Sequence, residues 1–427
     1  MSMGQTRSIY VYMDFGHSQA LMGQLESSFV RGKEIFYFSY DDAWLSGVTL
    51  PIIDPELQYF SGRQYAPVDR RNFGIFLDSS PDRWGRFLMD RREGLLAREE
   101  GRSVRKLSES DYLLGVHDAN RLGALRFKLT PEGPFLSNDT AYAAPPWTSL
   151  RALQAASLAL EQEDSEEDKQ YSAWLNMLIA PGGSLGGARP KASVIDESGQ
   201  LWIAKFPSRS DESDVGAWER VAYGIAQHAG IQVPHGRIEK IHGKHHVFLS
   251  QRFDRHFDLK SKRYIRFPVA SAMTLLQRSD GDDASNGASY LELLAFILKQ
   301  GSEPDRDLAE LWRRIVFNIV ISNTDDHLRN HCFILTPQGW RLSPAFDLNP
   351  NPFGDGLKLN ISQTDNAQDL NLAREIAPLF RLSTKTAEKI IHDVKEAAHH
   401  WKVLAEQYGI SKTEQKRMSG AFRESLS

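Results

Sequence analysis

The chain has one cysteine, Cys332, among 427 residues. That excludes an intramolecular disulfide and any zinc site built from several thiolates of one chain, and it suits a reducing compartment. There is no run of about 18 uncharged apolar residues, so no transmembrane helix is expected. Residues 1–14 lack a basic stretch followed by an apolar core and a cleavage site, and do not read as a signal peptide. Charge of one sign is also missing: 51 Lys and Arg stand against 55 Asp and Glu, for a net charge of -4. Nothing global therefore points to nucleic acid. Internal repeats are absent. What remains, at 41% hydrophobic and 25% charged residues, is the composition of a globular, cytoplasmic protein long enough for two or three units.

The most informative stretch is Asn323-Thr324-Asp325-Asp326-His327-Leu328-Arg329-Asn330, followed by Ala345-Phe346-Asp347. Asp325 and Asn330 stand five apart, and Asp347 follows after seventeen more. Phosphoryl transfer from ATP needs three such groups: a carboxylate to orient and deprotonate the acceptor hydroxyl, an amide oxygen on a metal, and a carboxylate bridging metal to phosphates. Asp325, Asn330 and Asp347 fill those roles in order, with ATP and Mg2+ as cofactors. The apolar run Ile315–Ile321 leads in as buried helix or strand. Cys332–Leu342 reads as two strands around a turn, which would bring Asp347 back beside Asn330. His327 and Arg329 are placed either to orient Asp325 and reach the phosphoryl group, or to hold the loop by hydrogen bonding. Asp326 reads as a loop cap or a supporting residue.

Ala180–Lys191 carries Gly182, Gly183, Gly186 and Gly187. Glycine lets backbone N–H groups approach phosphate oxygens. The spacing matches neither common nucleotide-loop pattern, so an ordinary turn stays open; as a phosphate loop its residues are Ser184, Gly186, Gly187 and Lys191. Lys205 lies in the apolar strand Leu201–Phe206, where an unpaired ammonium is costly to bury. A phosphate and Glu219, on the following helix, would satisfy it, as in the strand-lysine and helix-glutamate pair of protein kinases. At Gln251-Arg252-Phe253-Asp254-Arg255 the backbone of Gln251 could recognise adenine and Phe253 cover its ring, with a structural salt bridge between Arg252 and Asp254 left equally open.

Coarse elements follow from periodicity. Ile9–Met13 and Glu34–Tyr40 read as strands, and Ser80-Pro81 as the opening of a helix with proline in its first turn. Ala141–Pro146 reads as a linker, and 161–168 as an acidic solvated stretch. Leu150–Leu160 is a helix, 192–195 and 201–206 a hairpin, Trp218–Ala229 a helix ended by Gly230, and 246–251 a strand. Helices are expected at 290–299, 308–321 and 384–408. His242–His246 reads as a surface turn. A β-rich lobe followed by a helical lobe is the order of a bilobal kinase.

Four blocks resemble the HipA family of bacterial serine/threonine kinases, toxins of HipBA-type toxin–antitoxin systems: 81–86, 184–191, 251–255, and 323–330 with Asp347. The resemblance implies an α+β, bilobal protein-kinase-like fold of HipA type. Its units would be a β-rich N-terminal subdomain at 1–140, an N-lobe at 147–268 and an all-helical C-lobe at 269–427. It implies Asp325 as base, Asn330 and Asp347 as magnesium ligands, Lys205 as the phosphate lysine, and Ser184 as an autophosphorylated residue whose modification inactivates the kinase. It further implies a small helix-turn-helix HipB-like antitoxin as partner, DNA contact only through it, and a protein substrate such as an aminoacyl-tRNA synthetase, whose phosphorylation slows growth. Gln251 where some members carry Glu, and Ala-Arg-Pro-Lys in the loop, depart from the pattern. Two other readings stay open: a small-molecule kinase of the aminoglycoside or choline type, and a non-catalytic co-repressor scaffold.

Overall fold

The computed structural model describes residues 6–47, 50–137, 144–162, 170–179, 187 and 189–422. Ser184, Gly186, the greater part of the acidic stretch and residues 141–143 of the expected linker lie outside those residues. The chain divides into two compact units that interleave along the sequence: Met1–Arg209 with Gln251–Ala270, and Ser210–Ser250 with Ser271–Ser427.

The first unit opens with an antiparallel sheet of β1 (Arg7–Asp14), β2 (Gln19–Val30), β3 (Lys33–Tyr40), β4 (Gln64–Tyr65) and β5 (Leu125–Lys128), in the order β4-β3-β2-β1-β5. In β1 the alternate residues Ile9, Val11 and Met13 are buried, the period-two pattern of a strand with one covered face. Phe36, Phe38, Phe73, Phe76 and Phe127 join them in the core. The 12-residue β2 was not foreseen, because Ser27 and Ser28 blur its alternation.

The helix expected at Ser80-Pro81 starts later, at Arg83, and runs to Glu99; Asp82 is its N-cap, accepting from the Gly85 N–H. Pro81 thus precedes the cap rather than occupying the first turn. The Leu150–Leu160 helix has its expected bounds. The expected hairpin forms as β6 (Lys191–Ile195) and β7 (Leu201–Lys205). Asp196 closes its turn, accepting from Ser198 and Gln200 backbone N–H groups.

The second unit is dominated by helices. The Val215–His228 helix begins three residues before the expected start because Asp214 caps it, and Gly230 follows its C-cap at φ +77°. Tyr290–Gln300 and Pro304–Val320 follow, the latter with Leu308, Leu311, Trp312, Ile315, Val316 and Phe317 fully buried. The expected helix at 384–408 is two, Thr384–His399 and Trp401–Gln407, separated at His400. The Trp401 ring stacks on Phe422 at 4.7 Å. One antiparallel hairpin, Cys332–Thr336 with Gly339–Leu342, forms where the sequence reading has it. Asp307 at the start of the Pro304–Val320 helix anchors that hairpin by accepting from Leu342 N–H and the Arg341 guanidinium. No helix among the described residues is long and apolar enough to cross a membrane.

Candidate active site

In the second unit the buried Pro304–Val320 helix delivers the chain to a loop at 322–331. Ser322 takes φ +52°, turning the backbone out of the helix. Asn323 N–H then reaches back to the Asn318 carbonyl at 2.9 Å. The two neighbouring aspartates of the loop point to opposite fates. Asp325 is exposed, and its carboxylate has no hydrogen-bond partner among the described residues. Asp326 is buried, and its Oδ2 meets Tyr290 Oη at 2.7 Å, Asn318 Nδ2 at 2.8 Å and His331 Nε2 at 2.7 Å. Burial alone would raise the Asp326 carboxyl, but His331 beside it and the hydrogen bonds from His331 and Tyr290 hold it below the usual carboxylate range. The Tyr290 hydroxyl is pushed far up by burial and by the same carboxylate.

Leu328–Asn330 forms a single tight turn, with Asn330 N–H on the His327 carbonyl at 2.8 Å. Asn330 Nδ2 donates to the Asp325 carbonyl at 3.2 Å, which leaves its Oδ1 without a protein partner among the described residues. The backbone of His327 bonds to the Asp325 carbonyl. Its ring does not bond Asp325, and Nδ1 is buried without a partner among the described residues. Arg329 pairs with Asp280 at 3.5 Å.

The hairpin returns the chain to the loop at 345–351. Asp347 is half-buried, adopts φ +58°, and accepts from Asn349 Nδ2 at 3.0 Å. Asn349 N–H donates to Asn323 Oδ1 at 3.3 Å, and Asn351 bonds the Ser322 carbonyl and Thr324 Oγ1. A small cavity here is lined by Asp326, Asn330, His331, Phe346 and Leu348. Asp325, Asn330 and Asp347 are therefore gathered on one scaffold. Glu219 is buried on the Val215–His228 helix of the same unit.

Sequence reasoning missed the supports: Tyr290, Asn318 and His331 around Asp326, and Asn349 and Asn351 behind Asp347. One signal was available, since Asn318 is a lone amide in the apolar run Ile315–Ile321.

In the first unit, Lys205 ends β7, half-buried, directly opposite Lys191 on β6. The Lys191 ammonium is buried, donating to Asp82 Oδ2 at 2.8 Å and the Gly187 carbonyl at 3.2 Å. Trp84 adds its indole N–H to the Lys191 carbonyl at 3.0 Å. Two sequence blocks, 81–86 and the end of the glycine loop, thus meet. Gly187 takes φ +93°, a conformation that favours glycine. In the 251–255 block, Asp254 bridges Arg252 and Arg255, and both guanidiniums also bond backbone carbonyls of 119–123. These two arginines hold Asp254 far below the carboxylate range against the effect of burial. The structural alternative for Arg252 and Asp254 is the one observed. Gln251 and Phe253 beside them are half-buried.

Oxygen donors at Asn330 and Asp347 suit a hard cation such as Mg2+, which takes one or two protein ligands plus phosphates. Among the described residues no three His, Cys, Asp or Glu side chains cluster as a site for a softer metal.

A family model, the HipA-like C-terminal domain, matches residues 183–401. A Haemophilus influenzae protein, provisionally named a kinase, is 28% identical over 181 residues, covering 39% of this chain and 52% of that protein. The chain thus spans about half the length of this curated relative. Among solved structures, HipA of Shewanella oneidensis MR-1, from a toxin–antitoxin complex with HipB and operator DNA, superposes with a TM-score of 0.66. The match is at 17% identity and covers 97% of this chain and 96% of that one. The Helicobacter pylori proinflammatory kinase CtkA reaches a TM-score of 0.34 at 15% identity, over 55% of this chain and 94% of its own. With the α+β kinase-like fold of HipA and a family match over more than half its length, the chain belongs to the HipA-like family.

Proposed function

We propose that this chain is an ATP- and Mg2+-dependent protein kinase acting on serine or threonine. The observation that carries the reading is the contrast between the paired aspartates. Asp326 is clamped by three side chains, while Asp325 next to it is exposed and unpartnered among the described residues. A carboxylate held on a rigid loop, yet uncommitted, suits a general base that receives the proton of an acceptor hydroxyl. Asn330 and Asp347 would hold Mg2+, which when bound neutralises charge at the β and γ phosphate oxygens. Lys205 is assigned to the phosphates, and Gly186, Gly187 and Lys191 to the loop beside them. Gln251 and Phe253 are assigned to adenine. His327 is assigned to holding the loop that presents Asp325.

Ser184 is proposed as the site of self-phosphorylation. A phosphate there adds about −1.5 to −2 charges to a loop that serves phosphates, and so opposes ATP binding. By analogy with the family, the partner is a small HipB-like helix-turn-helix protein that carries the DNA contact. The substrate is a host protein, an aminoacyl-tRNA synthetase by the same analogy. The test is incubation of the purified chain with Mg-ATP, followed by intact and peptide mass spectrometry. Phosphate on Ser184 supports a protein kinase. ATP turnover without protein phosphate favours the small-molecule kinase, and no ATP binding favours the scaffold.

A further inference from the structure

We propose that Asn323 and Asn349 are positioning residues for Asp347, extending the buried Asp326 cluster to the carboxylate assigned to the metal. The inference rests on the kinase reading above. Four hydrogen bonds form one chain between two carboxylates. Asn318 Nδ2 donates to Asp326 at 2.8 Å, and Asn323 Nδ2 donates to Asn318 Oδ1 at 3.0 Å. Asn349 N–H donates to Asn323 Oδ1 at 3.3 Å, and Asn349 Nδ2 donates to Asp347 Oδ1 at 3.0 Å.

Asn318 and Asn323 are both buried, so each amide depends on these partners for its hydrogen bonds. Asp347 needs such support. Its positive φ is a conformation that L-residues with a side chain seldom hold unless their surroundings impose it. The imposing contacts come from the segment that follows: Asn349 on Asn323, and Asn351 on Ser322 and Thr324. None of the three amides is assigned to the reacting atoms. Their effect is on where the Asp347 carboxylate sits, and thus on metal affinity more than on the chemical step.

Asn349→Ala is the discriminating variant, because it deletes the bond to Asp347 while the backbone N–H to Asn323 stays. Asn323→Ala, at a fully buried position, is the companion, with thermal unfolding as the folding control. Mn2+ binding in the presence of a non-hydrolysable ATP analogue is read by electron paramagnetic resonance, alongside the Mg2+ dependence of phosphate transfer. Outer-shell partners of a metal typically set affinity by about 10- to 100-fold. Asn349→Ala is expected to weaken Mn2+ by that factor and raise the Mg2+ needed for half-maximal rate in step. At saturating Mg2+, kcat should stay within about threefold, since no group at the reacting atoms is lost. A folded Asn349→Ala with wild-type metal affinity overturns the proposal, and so does a fall in kcat with metal affinity unchanged. If wild type itself binds no Mn2+–nucleotide, the kinase reading fails and takes the proposal with it, an outcome distinguished by its appearing before any substitution.

Discussion

Lys191 and Lys205 are directly opposed on neighbouring strands, and the Lys191 ammonium is buried on Asp82, 2.8 Å away. Opposed residues of an antiparallel pair share a face of the sheet. With Lys191 neutralised by Asp82, Lys205 is the ammonium of this face that the proposed function assigns to the phosphates. The two lysines should therefore fail in different ways. Lys191→Met leaves Asp82 buried without its cation and should cost about 3–5 kcal/mol of stability in urea unfolding. Lys205→Met should chiefly weaken ATP binding, measured by calorimetric titration.

Tyr290→Phe removes one of three donors to a buried carboxylate. A loss of about 1–3 kcal/mol is expected in urea unfolding. Phosphate transfer should fall with it, because the loop that presents Asp325 loses an anchor. Unchanged stability would mean that Asp326 does not depend on this bond.

The Asp326 carboxyl is held below its ordinary pKa in the folded chain, so the folded state binds fewer protons than the unfolded one on the acid side. Its contribution to stability is complete above the unfolded value, about pH 4, and is lost as pH falls through the folded value. Unfolding free energies measured from pH 6 down to 3 should fall less steeply for Asp326→Asn than for wild type. Equal acid slopes would remove Asp326 from that role.

The local signals were readable because they are local. The Leu150–Leu160 helix, the β6–β7 hairpin and the Cys332–Leu342 hairpin follow from periodicity and turn residues. Asp325, Asn330 and Asp347 were singled out because their spacing is itself chemical information, and the structure links the loops that carry them through Asn349 on Asn323. What stayed hidden is non-local. Asp82 and Lys191 are 109 residues apart, and Tyr290 and Asp326 are 36 apart. No periodicity encodes such a pairing; only the folded chain brings the partners together. The helix at Arg83 starts late for a local reason of another kind, since Asp82 competes with Pro81 for the opening and its carboxylate caps the Gly85 N–H.

The central claim is that Asp325 is the base of a phosphoryl-transfer site while Asn330 and Asp347 serve the metal. Wild type and Asp325→Asn should be compared side by side for Mg-ATP binding, for unfolding midpoint and for transfer of labelled γ-phosphate. The carboxylate, exposed and unpartnered among the described residues, predicts unchanged folding and nucleotide binding, with transfer reduced by about 10²–10⁴-fold. Transfer at the wild-type rate by Asp325→Asn would contradict the account.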